Sequence, residues 1–269
     1  MALFAAALPN AVVLRPVANM YSRPTEDADV VSQAIYGSNV LLMEQREGWA
    51  QIRTPDDYTG WTPLSALRPG PTYAAGGRVA EVVSLFAHIY RESDVTRHAP
   101  LLTVPFESRL EVVAQPNERW LQVRLPDDRS GWIQAGDLAF DAKPLTIPEM
   151  ITLSKRFLGL PYTWGGTSSF GYDCSGFAQM LCRRRAIHIP RDAQPQADWS
   201  GAARVKREEL APGDLLYFGS SGKHITHTGV YLGDGRFINA TTFQTPMVRI
   251  DDLDDPHWTS LLVAMRRVK

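Results

Sequence analysis

Two small β-barrels followed by a third domain that mixes helices with strands is the architecture the sequence predicts. Three observations predict it. The first is an internal repeat built around turn residues, the second a change of texture near residue 143, and the third a helix-spaced apolar stripe that opens just beyond. The implied segments are 1–74, 75–142 and 143–269.

The repeat is explicit. GWAQIRTPDDYTGWTPLSAL (48–67) aligns without gaps with RWLQVRLPDDRSGWIQAGDL (119–138), and nine pairs are identical, among them Trp49/Trp120, Gln51/Gln122, Asp57/Asp128, Gly60/Gly131 and Trp61/Trp132. Chance gives about one such match at a fixed offset, so the similarity marks a duplicated unit. Each copy reads as an alternating strand, a Pro-Asp-Asp turn and a second strand opened by Gly-Trp. The tryptophans are expected in the barrel cores. Tyr58 becomes Arg129 in the second copy, so Tyr58 faces either solvent or something other than its own core. The apolar residues at the start of the chain are expected to form a lead-in strand.

Beyond residue 143, Ile147, Met150, Ile151, Ser154, Phe157 and Leu158 fall at helical spacing, with Pro148 in the first turn and Gly159 and Pro161 closing the helix. A second helix is expected from Cys174, since Phe177, Ala178, Leu181 and Arg185 follow at i+3, i+4, i+7 and i+11. Asp173 is the expected N-cap.

Composition narrows the function. The 269 residues carry 28 basic and 29 acidic side chains, a net charge of −1, without the basic excess that phosphate neutralisation requires. Nucleic acid is therefore not an expected partner. No run approaches the roughly 20 apolar residues of a bilayer span, so no membrane role is expected. The first residues lack the charged start of a signal peptide, and the two cysteines are unclustered, which together predict a cytoplasmic setting. Metal-ligand spacings such as C-x-x-C or H-x-x-x-H are absent, and no cofactor is expected.

Those two cysteines differ in prospects. Eight residues of helix set them about 12 Å apart, beyond disulfide reach, and Cys182 reads as a small core residue. Cys174 sits at a helix N-terminus, where the dipole favours thiolate while Asp173 opposes it, so a base or cationic partner is required. Of six histidines His227 is the best placed, with His224 a loop-like competitor. Strand-like runs flank Gly233-Asp234-Gly235. A two-residue Asp-Gly loop separates His227 and Asn239 onto opposite faces. A three-residue loop, pairing 232 with 236 and 229 with 239, puts His227, Tyr231, Phe237 and Asn239 on one face and an apolar set on the other. The second register is preferred because it segregates the faces. It makes Asn239 a diagonal neighbour able to orient the imidazole, and Cys174, His227 and Asn239 a candidate triad.

LPYTWGGTSSFGYDCSGFAQ, IHIPRDAQPQ, LAPGDLLYF and HTGVYLGDGRFINA resemble, in order and spacing, the NlpC/P60 cysteine peptidases over residues 145 to 265. The W…GW repeats over about 10 to 140 resemble bacterial SH3-like modules. The resemblance implies two SH3-like all-β barrels followed by a papain-like α+β domain that cleaves cell-wall peptides after γ-linked D-glutamate and before a diamino acid. Carried onto this sequence, Cys174 is the nucleophile, His227 the base and then the acid, and Asn239 the third polar residue where most members have histidine. Tyr162 and Trp164 match the aromatic approach loop, with the Tyr162 hydroxyl and the Cys174 N–H as candidate oxyanion donors. Asp173, Ser175 and Asp192 match substrate-side polar positions. The two-module arrangement resembles the γ-D-glutamyl-L-diamino acid peptidases of murein recycling, in which Tyr58 and Asp192 would help grip the free amine of L-Ala-γ-D-Glu-diamino acid. Arg23 stands before Pro24 where that subgroup has an acid, so Glu26 or Asp29 substitutes, or the amine requirement is relaxed. Alternatives are a peptidase of intact stem peptides, a non-catalytic wall-binding protein, and an acyltransferase or amidase on the same fold.

Overall fold

Turn chemistry and strand alternation dominate the first half of the chain. The computed structural model describes residues 9–268, and the chain divides into two units, one ending at Ala142 and the other beginning at Lys143. The lead-in strand expected over the first apolar residues falls on residues outside those described.

In the first unit, β1 (Asn10–Val13), β2 (Val17–Tyr21), β3 (Val30–Ile35), β4 (Asn39–Arg46), β5 (Trp49–Arg53), β6 (Thr59–Pro63) and β7 (Leu67–Pro69) form a sheet ordered β3-β2-β6-β5-β4-β1-β7. After it come β8 (Arg78–Val82), β9 (Phe86–Ile89), β10 (Leu102–Pro105), β11 (Arg109–Ala114), β12 (Trp120–Arg124), β13 (Ser130–Gln134) and β14 (Leu138–Ala139). Five of these make a sheet ordered β13-β12-β11-β8-β14, and β9 pairs with β10. The repeat folds alike in both copies. β5 and β12 run into turns whose second aspartates, Asp57 and Asp128, take φ of 62° and 66°, and β6 and β13 then lead to a single 3-10 turn. Asparagine and aspartate tolerate this left-handed region better than other side-chain-bearing residues, which is why the turn keeps its Asp-Asp pair.

Each half has its own apolar cluster. Ala11, Met20, Val40, Ala50 and Ile52 belong to the first, and Val82, Leu110, Leu121, Val123 and Ile133 to the second. The four repeat tryptophans lie outside these two clusters, although Trp61 and Trp120 are buried, so the expectation of core tryptophans holds for those two alone. Ala50 and Ile52 occupy the core face of β5, so Trp49 and Gln51 point the other way, and Trp61, paired with Gln51, joins them. Trp120 and Trp132 repeat this on β12 and β13. There Tyr21 meets Trp49 edge-on with centroids 5.5 Å apart, and Tyr90 meets Trp120 at 5.8 Å. Arg46 lies 5.4 Å from the Trp61 ring, a cation–π distance. The two halves share side chains: Tyr36 packs into the second cluster, while the Tyr73 hydroxyl donates to the Arg124 carbonyl and accepts from the Glu111 N–H.

Tyr58 is half-buried and packs in part against the first cluster, so leaving the repeat has not freed it from its own core. Its counterpart Arg129 lies outside the second cluster and pairs with Asp127 at 2.7 Å.

The second unit opens with α1 (Ile147–Lys155), started by a capping box in which Thr146 and Glu149 satisfy each other's backbone N–H groups. Met150, Ser154 and Phe157 are buried, whereas Leu158 is 43% exposed; the helix itself ends at Lys155. There follow β15 (Thr167–Ser168), β16 (Gly171–Tyr172), α2 (Cys174–Arg183), α3 (Ala193–Asp198), β17 (Ala202–Arg204), β18 (Leu215–Ser221), β19 (His224–Gly233), β20 (Arg236–Thr241), β21 (Met247–Asp252), α4 (Pro256–Leu261) and β22 (Leu262–Val268). The main sheet is antiparallel, ordered β17-β22-β18-β19-β20-β21. Every residue of α2 from Cys174 to Cys182 is buried, so the helix is enclosed rather than one-faced as its spacing suggested, and it ends before Arg185. Both cysteines are free. No helix among the described residues is long and apolar enough to cross a membrane, and no group of three His, Cys, Asp or Glu among them is arranged to hold a metal.

Candidate active site

The start of α2 is set by close backbone approach. A side chain on Gly176 would put its Cβ 2.2 Å from the Gly166 carbonyl oxygen, and one on Gly166 would meet the Gly171 carbonyl at 2.3 Å. The glycines of the approach loop and of the Cys-Ser-Gly step thus let loop and helix touch main chain to main chain, and Asp173 N–H donates to the Gly166 carbonyl at 3.1 Å.

Asp173 is the N-cap and accepts from Gly176 N–H at 2.7 Å. It also receives both terminal nitrogens of Arg191, at 3.0 and 2.6 Å, and Arg191 donates to Ser175 Oγ at 2.9 Å. The Arg191 side chain is 1% exposed. Asp173 and Ser175, expected on the substrate side, are therefore bound into a buried bidentate ion pair that fixes the helix start. Arg191 went unnoticed in the sequence, and it supplies the cationic partner that a thiol beside an aspartate needs. The motif PRD places it next to Asp192, but no pattern announces its burial. Asp192 itself is exposed at the head of α3, where its side chain makes no cap.

Cys174 is 7% exposed. Its sulfur is met by the backbone N–H groups of Ser175 and of Thr228, the residue after His227. Burial, and then the Asp173 charge, push its thiol up to about 12. Tyr162 is close enough for the cysteine to raise its phenol further, after the larger effect of burial, so its hydroxyl stays a proton donor.

His227 lies where β19 carries a bulge: Phe218 opposes His227 but Gly219 opposes Ile225, leaving Thr226 as the extra residue. Such bulges re-aim neighbouring side chains. His227 Nε2 and Asn239 Oδ1 are 2.8 Å apart. The strand pairing in the hairpin body is the expected one, with Val230 opposite Ile238 and Tyr231 opposite Phe237. The device is different. Asp234 and Gly235 form a two-residue turn with φ of 51° and 71°, as a type I′ turn demands, and Gly233 pairs with Arg236. A bulge between Tyr231 and Gly233 absorbs one residue and restores the register. The two-residue loop therefore does not separate His227 from Asn239. Neither face is left to solvent, since Phe237 and Asn239 are both 0% exposed. Gly229 makes room for this, because a Cβ there would meet Phe237 at 2.6 Å and Asn239 Cβ at 3.1 Å.

Two more residues were not foreseen. Trp258 of α4 stacks on His227 with centroids 5.1 Å apart and an interplanar angle of 26°, and packs with Phe218 and Phe237. Asp251 accepts from Asn239 Nδ2 at 2.9 Å and pairs with Arg249 at 2.6 Å. It hides in the acidic run Asp251, Asp252, Asp254, Asp255, which reads as a solvated stretch. Burial, above all, holds the His227 imidazole down at about 4, against the raising effects of Asn239 and Asp251. Both shifts favour the uncharged form, of the thiol and of the imidazole. His224 is exposed at the far end of the β18–β19 hairpin. Trp164 is 70% exposed on the approach loop, and Tyr58 lies in the first unit.

This arrangement of buried thiol, half-buried imidazole and buried amide fits known proteins. The NlpC/P60 family model matches residues 159–267, and a model described as a bacterial dipeptidyl-peptidase SH3 domain matches residues 20–67. The chain is 30% identical over 251 residues to a gamma-D-glutamyl-L-lysine dipeptidyl-peptidase of Bacillus cereus, covering 88% of this chain and 74% of that protein. A protein of the same name from Bacillus subtilis is 27% identical, over 80% of this chain and 73% of its own length. Dipeptidyl-peptidase 6 of Lysinibacillus sphaericus is 25% identical, over 92% and 93%. A solved NlpC/P60 family protein from Bacillus cereus superposes with a TM-score of 0.84 at 24% identity, covering 96% of this chain and 99% of that one, which shows a shared fold. The chain, with its SH3-like domain ahead of the catalytic one, belongs to the NlpC/P60 family of cysteine peptidases.

Proposed function

We propose that this peptidase hydrolyses the γ-D-glutamyl–L-diamino acid bond of murein peptides that carry a free N-terminal L-Ala. The observation that carries the reading is the thiol at the head of an enclosed helix, bonded by the N–H that follows His227, while His227 is held through Nε2 by Asn239. The names of the Bacillus relatives, gamma-D-glutamyl-L-lysine dipeptidyl-peptidases, support the substrate class.

In this reading Cys174 Sγ attacks the amide carbonyl as its proton passes to His227, a general-base step from a neutral pair. The oxyanion is met by the Tyr162 hydroxyl and the Cys174 N–H. His227 returns the proton to the leaving amine, the C–N bond breaks, and a thioester remains. Water, deprotonated by His227, then releases the acid and restores the thiol. Trp164 offers an exposed aromatic face to the substrate. Asp192 is assigned to the free amine, and an exposed Asp192 discriminates less than a buried carboxylate would, because solvent screens it. We also read residues 75–142 as a second SH3-like barrel, on the strength of the repeated strand, turn and strand, and the protein as acting on recycled peptides in the cytoplasm.

The test is mass spectrometry of L-Ala-γ-D-Glu-L-Lys, its meso-diaminopimelate analogue and their N-acetylated forms after incubation. Free peptides should be cut to L-Ala-D-Glu and the diamino acid, and Cys174→Ala should abolish this. Full activity of that variant overturns the catalytic assignment. Equal cleavage of the acetylated peptides removes the amine requirement alone.

A further inference from the structure

Asparagine is an ambiguous partner for a catalytic imidazole. Turned one way its side chain offers an oxygen that accepts, and turned by 180° an NH₂ that donates. The two orientations dictate opposite tautomers. If Oδ1 faces His227, Nε2 must carry the proton and Nδ1 keeps a lone pair. If Nδ2 faces the ring, Nε2 must be the bare nitrogen, and the proton sits on Nδ1, which can no longer take one from a thiol. The orientation of the amide therefore decides the tautomer, and this chain needs something to choose it.

The surroundings of Asn239 make the choice. On the side away from His227 its Nδ2 meets two acceptors: Asp251 Oδ2 at 2.9 Å and the Arg249 carbonyl at 3.4 Å. A carboxylate accepts and cannot donate, so the flipped amide would set oxygen against oxygen in a site where Asn239 is 0% and Asp251 6% exposed. Asp251 is itself held by Arg249, at 2.6 Å from its other oxygen. β20 and β21 pair Asn239 directly with Arg249, which brings these groups together.

We propose that Asp251 is a positioning residue of this site: through Asn239 it fixes His227 as the Nε2–H tautomer and leaves Nδ1 as the basic nitrogen. The proposal rests on the catalytic reading of His227 given above. It assigns a chain running Arg249, Asp251, Asn239, His227, in which the charge at the far end sets the direction of every bond.

Two measurements test it. Nitrogen-15 NMR of histidine-labelled, unmutated protein should give the Nε2–H pattern for His227 above pH 6, and an Nδ1–H pattern overturns the proposal. In Asp251→Asn both amide orientations become available, so a second tautomer should appear. kcat on L-Ala-γ-D-Glu-L-Lys should fall roughly 10- to 100-fold, by analogy with the loss of outer partners behind metal-bound histidines, with KM unchanged. Asn239→Ala combined with Asp251→Asn should cost no more than Asn239→Ala alone, since Asp251 acts through the amide. A full additional loss in the double variant, or a rise in KM without loss of kcat, assigns Asp251 a merely structural role. Asp251→Ser, whose hydroxyl also accepts or donates, replaces Asp251→Asn if that variant does not fold. If the unmutated protein leaves the peptide intact, the catalytic reading fails while the NMR measurement still decides the tautomer.

Discussion

Two buried polar clusters flank the candidate nucleophile, and they are built on opposite principles. On the helix side Asp173, Ser175 and Arg191 form a closed ion pair with charges of both signs in direct contact. On the strand side His227 and Asn239 are neutral, and the charged pair, Asp251 with Arg249, stands one residue further back. The first cluster fixes where the sulfur sits and cancels the aspartate beside it. The second fixes which nitrogen is free while keeping the imidazole uncharged. Fixed charge is kept in matched pairs, so the new charge appearing during reaction comes from the proton leaving the thiol.

Breaking the helix-side pair should have the largest effect. Arg191→Met leaves Asp173 buried and uncompensated, which costs about 3–5 kcal/mol when one partner of such a pair is removed. The melting temperature should fall accordingly. Alkylation of Cys174 by iodoacetamide should slow, because the cation that lowers its thiol is gone. A variant as stable and as reactive as the parent would show that the pair does neither job.

A smaller loss is expected from Gly176→Ala, which forces a methyl to 2.2 Å from the Gly166 carbonyl oxygen and 3.0 Å from Asp173 Oδ1, and so loosens the helix start while removing no charge. Overpacking of this kind costs about 1–3 kcal/mol, measurable as a shifted denaturation midpoint. Stability lost there with the alkylation rate unchanged would separate helix docking from thiol activation.

On the strand side the smallest effect is also the most specific. Trp258→Leu uncovers one face of His227, so the imidazole should rise from about 4 towards its ordinary 6.5. His227 must be neutral to accept a proton, so the acid limb of kcat/KM should move up in pH by the same amount. Stability follows the same sign. With a depressed folded value, the unfolded chain binds the proton first as pH drops below about 6.5, and stability is lost down to about 4. The variant should show less of this acid sensitivity. An acid limb that stays put would mean that the stacked indole does not control the ring.

How much of this was legible depended on whether a feature was local. Asp173 as N-cap, Cys174 at the first helical turn and the glycines before it all follow from neighbours in the chain. The pairing of His227 with Asn239 was readable because a hairpin is local too, although the register was reached by a bulge that alternation cannot reveal. The tryptophans were legible in part. Their size suggested core, and Trp61 and Trp120 are buried, but strand phase put Ala50 and Ile52 in the main cluster and the indoles on the opposite face with Tyr21 and Arg46. Arg191, Asp251 and Trp258 were not legible, because each acts on a residue at least 12 positions away and each sits in a stretch whose composition reads as ordinary surface or core.

The extra residue in the hairpin tip carries more weight than its distance from the sulfur suggests. Strand side chains alternate with a period of two, so the count of residues between His227 and Asn239 decides which side of the sheet the amide occupies. Losing one residue from the bulge would exchange Asn239 for one of its apolar neighbours beside the ring, with every chemical group still present in the chain. In lineages of this fold, changes of odd length at that tip should be purged as strictly as replacements of the nucleophile, whereas substitutions that respect its positive-φ positions pass.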